Sequence, residues 1–287
     1  MATIRSATDW RTLGSFAAVS AVTISLGSYG LSLYGAGVGT WSRNPIAWLA
    51  GCVLAVPLLL TGRSRRMSIG VLALTVLALA ATLLAQDQSG VHRWLDIGPV
   101  HVNVAALLLP VAVVALSTSN LAPAVLLAIM GAIGAILVAQ PDASQATAFL
   151  LASALVLFRR AKSPALRAIG LVGMGGLALA AWQRGDPLQP VLEVEGVFLL
   201  LVEVSKALAA AAGAALALTC AVPLRRLASS SETTGQAALG LSVYFVASAV
   251  MPFFGAYPVP LLGVGMSFPV GFWLAMGLLS AREHLSD

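Results

Sequence analysis

Hydrophobic residues run through this chain in long blocks separated by short polar connections. Apolar stretches fall near residues 13–36, 46–62, 67–86, 104–118, 121–139, 144–159, 164–183, 196–221, 236–256 and 262–281. An α-helix of about 20 apolar residues crosses ~30 Å of hydrocarbon. Backbone amides in lipid must find partners within their own segment, so helices are expected and open strands are not. The pattern predicts an all-α integral membrane protein with about ten transmembrane helices. Gly131, Gly134, Gly173, Gly175 and Gly176 lie inside the blocks. Small residues let membrane helices approach closely, which predicts one bundle and a single polytopic domain over residues 1–287.

Composition sharpens this picture. Hydrophobic residues make up 59% of the chain and charged residues 9%, and the mean hydropathy is +0.93. A soluble globule carries roughly 25% charged residues, so a water-soluble fold is excluded. The net charge of +5 is explained by topology and not by nucleic acid. Arg5, Arg11, Arg63, Arg65, Arg66, Arg159, Arg160, Lys162, Arg167, Arg225, Arg226 and Arg282 all belong to one set of alternating connections and tails. The opposite set holds Arg43, Arg93 and Arg184, with Asp87, Asp96, Asp142, Asp186, Glu193 and Glu195. The positive-inside rule makes the first set cytoplasmic and both termini with it. Residues 1–12 are polar and no small-residue cleavage site follows, so the first block reads as a retained span. Cys52 and Cys220 sit inside apolar blocks and read as small buried hydrophobes, with no disulfide framework.

Three connections on the acidic side carry polar residues with two readings each. Arg93-Trp94-Leu95-Asp96-Ile97-Gly98-Pro99 suits an interfacial anchor followed by a turn, or a ligand site. Asp142, after Gln140 and Pro141, suits a cap on the next helix, where a carboxylate meets free amides, or a ligand role. Asp186, Glu193 and Glu195 suit a solvated acidic connection or a functional site; the carboxylates of Glu193 and Glu195, at i and i+2 in a non-helical approach, point apart and are not obviously a catalytic dyad. Glu203 and Lys206 lie within the eighth block, where charge is costly. Their i,i+3 spacing allows a structural pair on one helical face, or a polar pathway. His92, His101 and His284 form no metal-ligand spacing, and there is neither a phosphate-binding loop nor a nucleophile elbow.

These segments resemble a known family. Arg93 to Pro99 resembles the "RW-hydrophobic-x-LG" segment after the third span of the RodA/FtsW (SEDS) family. Gln140-Pro141-Asp142 resembles its "PDLGTA" segment, and Pro258 to Ser267 resembles its "LPFVSYGGSS" segment. The three occur in family order, at comparable places in a ten-span layout. The resemblance implies a SEDS-like bundle in the bacterial cytoplasmic membrane. The implied activity is polymerisation of lipid-linked peptidoglycan precursor on the outer face, beside a class B penicillin-binding transpeptidase or other single-span partner. Laid on the family's "EAHTDFIF…GEELG" stretch, Glu195 takes the place of the proposed catalytic Asp, and Glu203 that of the first Glu of the pair. Glu195 would then accept a proton from an attacking sugar hydroxyl. Arg93 would face pyrophosphate, with Asp96 and Asp142 contacting diphosphate or a bridging Mg or Mn ion. Lys206, Glu203 and Ser267 would be further substrate contacts.

The chain also departs from that pattern. The long connection between spans seven and eight is short, and the "QPSE" and Lys of the fourth span give way to Val102-Asn103-Val104-Ala105 and an apolar run. Three functions therefore stand as expectations: a compact SEDS-like glycosyltransferase, a non-catalytic scaffold binding lipid-linked sugar or a partner helix, and, last, a transporter using Glu203 and Lys206.

Overall fold

The computed structural model describes residues 7–98, 100–228 and 231–283. Arg5, Pro99 and His284, named above, lie outside them. Twelve α-helices follow one another with a single β-hairpin among the described residues. The helices are α1 (Trp10–Tyr34), α2 (Val38–Trp41), α3 (Arg43–Thr61) and α4 (Arg65–Thr82). After the hairpin of β1 (Trp94–Ile97) and β2 (Val100–Asn103) come α5 (Val104–Thr118), α6 (Pro123–Ala139), α7 (Ala143–Arg160) and α8 (Pro164–Gln183). Then follow α9 (Val197–Val204), α10 (Lys206–Ala221), α11 (Glu232–Val250) and α12 (Ser267–Ser280). Six helical segments are long and apolar enough to cross a membrane, and α5, α6 and α12 are shorter apolar helices.

Side chains set the starts. Asp9, Ser64, Asn103, Asp142, Ser163 and Ser205 each accept a hydrogen bond from an amide of the first turn that follows, which satisfies donors that a helix end leaves open. Two predicted boundaries differ from the fold. The block at 196–221 is not one helix: Ser205 is extended (φ −168°, ψ 124°) and caps α10 with its hydroxyl. Glu203 therefore ends one helix and Lys206 begins the next, both exposed. The i,i+3 pairing requires a continuous helix and does not form. The last helix starts at Ser267, not near 262, because residues 257–265 form an irregular segment bonded to other parts of the chain.

At the centre lies α5, buried along most of its length and flanked by α4, α7, α11 and α12. Helix α12 presses close to it: a Cβ added at Gly271 would lie 2.4 Å from the Ala106 carbonyl oxygen. Phe245 stacks on Phe272, and Phe16 and Trp48 meet Trp273 edge-on. Some polar groups inside the bundle pair with one another, as with Thr23 and Thr219 at 2.9 Å and the Trp48 indole donating to Ser20 at 2.8 Å. Outward-facing residues such as Ile169, Val172 and Leu179 on α8 are exposed hydrophobes, as lipid contact requires.

The basic connections gather on one face together with both described chain ends. The Asp9 amide donates to the Ser280 carbonyl at 2.9 Å and the Arg63 amide to the Arg282 carbonyl at 2.7 Å. Arg226 pairs with Asp9 at 3.0 Å, and Arg63, itself buried, donates to Thr234 and faces Glu283. The hairpin and the acidic connections lie at the opposite face.

The α5–α12 contact makes a direct prediction. Gly271→Val should destabilise the protein by about 3 kcal/mol or more, since overpacking against backbone cannot relax by rotamer change. Gly131→Ala, where an added Cβ meets nothing within 4 Å, should be neutral. Thermal unfolding in detergent compares them, and equal melting temperatures would contradict the close approach.

Candidate functional site on the acidic face

The site begins with a buried guanidinium. Arg93 is 5% exposed and precedes β1, whose pairing with β2 is antiparallel, Trp94 opposite Asn103 and Asp96 opposite His101. Its Nη2 donates to Asp186 at 2.7 Å and to the Pro141 carbonyl, and its Nε lies 3.6 Å from Asp142. Burial disfavours this charge, yet the carboxylates of Asp142 and Asp186 more than offset it and raise the guanidinium's pKa. Asp142 also caps α7, accepting from the Gln145 amide at 3.1 Å and the Ser144 hydroxyl at 3.0 Å. Both readings of Asp142 thus describe one side chain, a cap that also faces a cation.

Beside this cluster sits Glu195. A turn at 191–195 carries it, and its carboxylate accepts from the Val191 amide at 2.7 Å. Burial raises its pKa above the usual carboxylate value; the backbone bonds and Arg93 pull it down in part, and Asp186 pushes it up. Arg93, Asp142, Asp186 and Glu195 line a pocket of about 50 Å³ with Gln145 and Trp94. Trp94, Asn103 and Glu195 also border a larger cavity of about 610 Å³, reached by Arg43, His101 and Ser267. That volume falls within the range of ligand sites.

Sequence-predicted residues divide accordingly. The fold brings Arg93, Asp142 and Glu195 together, with Ser267 in the adjoining cavity, where its hydroxyl accepts from the Asn103 amide at 2.9 Å. Asp96 sits exposed on the hairpin, paired with His101 at 2.5 Å, and lines neither space. Glu203 and Lys206 line neither space. Sequence reasoning missed three participants. Asp186 reads as solvated but supplies the shorter of the two Arg93 ion pairs. Arg43 reads as a topology marker but borders the large cavity, its Nε donating to the Gly39 carbonyl and no carboxylate of the described residues within ion-pair distance. Asn44, an amide beside the start of an apolar block, is 2% exposed. It donates to the carbonyls of Leu261 and Gly263 at 3.1 and 2.9 Å and accepts from the Gly265 amide at 2.9 Å. Its polarity at the head of an apolar run is the signal that was available.

The expected Mg or Mn ion finds no preformed ligand set: among the described residues no group of three or more His, Cys, Asp or Glu is placed to hold a metal. Asp142 and Asp186 face Arg93 instead.

No family model matches the sequence, and no curated protein matches it. Solved structures do. Two crystal structures of the Thermus thermophilus rod shape determining protein RodA, one of them an Asp-to-Ala mutant, superpose with TM-scores of 0.69 and 0.70 at 20% identity. The match covers 95% of this chain and 95% and 96% of theirs.

The chain has the RodA fold.

A third structure, described as structural coordination of polymerization and crosslinking by a peptidoglycan synthase complex, matches with a TM-score of 0.60 at 18% identity. It covers 96% of this chain and 97% of that one. A RodA-type bundle accounts for the expected SEDS-like, multi-span all-helical architecture. At this identity the likeness is one of fold, and chemistry has to be argued from the site.

The two arginines of the site separate by environment. Arg93→Ala should cost about 3–5 kcal/mol of stability, because it leaves the buried Asp142 and the partly buried Asp186 without their cation. Arg43→Ala should change stability by less than about 0.5 kcal/mol. Denaturation midpoints in detergent decide this, and similar losses in both would remove Arg93 as the clamp.

Proposed function

We propose that this chain polymerises a lipid-linked sugar of the peptidoglycan-precursor type at the outer face of the bacterial cytoplasmic membrane. The observation that carries the reading is the adjacency of Glu195, a half-buried carboxylate, to a cavity of about 610 Å³ bordered by Arg43. The RodA fold and its match to a structure described as a peptidoglycan synthase complex support it.

In this mechanism Glu195 accepts the proton of an attacking sugar hydroxyl as the hydroxyl oxygen bonds to the anomeric carbon of the donor sugar. The bond from that carbon to the lipid diphosphate breaks, and the diphosphate leaves with the electron pair. Its negative charge suits Arg43, a guanidinium at the cavity that has no carboxylate partner among the described residues. Arg93 suits it less: one cation stands among three carboxylates in the small pocket. Arg93 instead holds the pocket's wall in place. Trp94 offers an apolar ring, and Asn103, Gln88 and Gln189 offer amides for hydroxyl groups in the same cavity. The charge distribution supports an orientation with both ends in the cytoplasm, and a class B transpeptidase beside the chain would cross-link its product.

The non-catalytic scaffold is the other reading, and the loss of polar residues from the fourth span favours it. Buried, apolar α5 stands where the family carries them. Purified protein given lipid-linked disaccharide–peptide, with and without Mg or Mn, separates the two. Long glycan products that vanish in Glu195→Gln, with lipid binding retained, support the polymerase. Binding without product supports the scaffold.

A pH profile adds a second check. The pKa of Glu195 is raised, so its basic form fills only at pH values above the ordinary carboxylate range, near 4.3. The rate should therefore fall with acid along a limb centred above that value, and Glu195→Gln should abolish the limb with the rate. A rate flat down to that pH would remove Glu195 as the base.

A further inference from the structure

We propose that Asn44 is the positioning residue of the site, holding the segment 257–265 against the turn that carries Glu195. Its carboxamide makes three hydrogen bonds to that segment's backbone, at Leu261, Gly263 and Gly265. The same segment is bonded to the turn: the Val259 amide donates to the Val194 carbonyl at 3.2 Å and the Val264 amide to the Glu193 carbonyl at 2.8 Å. Gly263 lies so close that an added Cβ would sit 2.1 Å from the Val194 carbonyl oxygen. Leu261 adopts a positive φ of 65°, a conformation unfavourable for a branched residue. The Asn44 bond to its carbonyl fixes it there.

The chain of contact is therefore Asn44 to the segment, the segment to residues 193 and 194, and then Glu195. The Glu195 carboxylate itself accepts from the Val191 amide of its own turn. The carboxylate's place depends on backbone that Asn44 pins from α3. Arg43, next in sequence, borders the same cavity, so the first turn of α3 carries both a cavity cation and the loop's anchor.

This inference rests on the polymerase reading for its kinetic arm alone, and a second arm is independent of it. The variants are Asn44→Ser, which shortens the side chain without adding charge, and Gly263→Ala, which pushes the segment off the turn from the other end. Each is judged on protein that retains a cooperative unfolding transition. In the kinetic arm, kcat should fall about a hundredfold with KM within about twofold, as expected for a reacting group displaced by about 1 Å. In the second arm, the Glu195 carboxyl band is read by infrared difference spectroscopy of each protein against its own Glu195→Gln counterpart and titrated with pH. Glu195 shares its surroundings with Asp186, Asp142 and Arg93 in the pocket and with Arg43 and His101 in the cavity, and these are unchanged in both variants. Its protonation midpoint should move down toward the ordinary carboxylate range as the turn opens to water.

A lowered midpoint in both variants upholds the positioning role. A parent protein that makes no polymer but shows that shift loses the polymerase reading and keeps the positioning one. An unmoved midpoint overturns the proposal, whether or not kcat falls.

Discussion

The acidic face is organised by the cost of burying one charge. A guanidinium at 5% exposure is tolerated only with opposite charge and hydrogen bonds around it. Arg93 draws these from two other connections, Asp142 and the Pro141 carbonyl from one and Asp186 from the next. Segments from three connections are thereby held in one wall. Asp142 is fixed twice, as a helix cap and as a counter-ion, so the first turn of α7 and the position of Arg93 are set together. The pocket that Glu195 borders exists because this wall stays closed.

How far the sequence alone could reach follows from the range of each interaction. The bounds of α5 and α8 agree with the hydropathy blocks at 104–118 and 164–183, because Asn103 and the Ser163-Pro164 pair mark their starts within one turn. Ser205 escaped detection since a serine inside an apolar run is ordinary in a membrane helix. Nothing local shows that its hydroxyl caps a new helix. The late start of α12 was hidden for a different reason: the bonds that withhold residues 261–265 from it come from Asn44, 217 to 221 positions away. Asp186 likewise meets Arg93 across 93 positions. The resemblance names Arg93, Asp142, Glu195 and Ser267, which line the two spaces, but not the amide and the guanidinium at the head of α3.

Charge placement then separates two roles that composition merges. Arg43 and Arg93 are both single arginines on an acidic side. One is enclosed by carboxylates; the other borders a cavity and has no carboxylate within ion-pair distance among the described residues. The family comparison invites attention to Arg93 because it sits in a motif. On the proposed reading, electrostatics directs it to Arg43 instead.

The contacts between early and late described segments have a consequence for biosynthesis. Asp9 bonds to Ser280, and Asn44 to a segment that precedes α12. Helices α1 and α3 leave the ribosome long before their partners exist, and contacts of such sequence separation form last. During insertion the Asn44 carboxamide must stay solvated by water or headgroups at the membrane surface, near the mouth of the nascent bundle. The segment that Asn44 holds is then set only when α12 enters, so a partly made chain displays most of the bundle without that bonded segment.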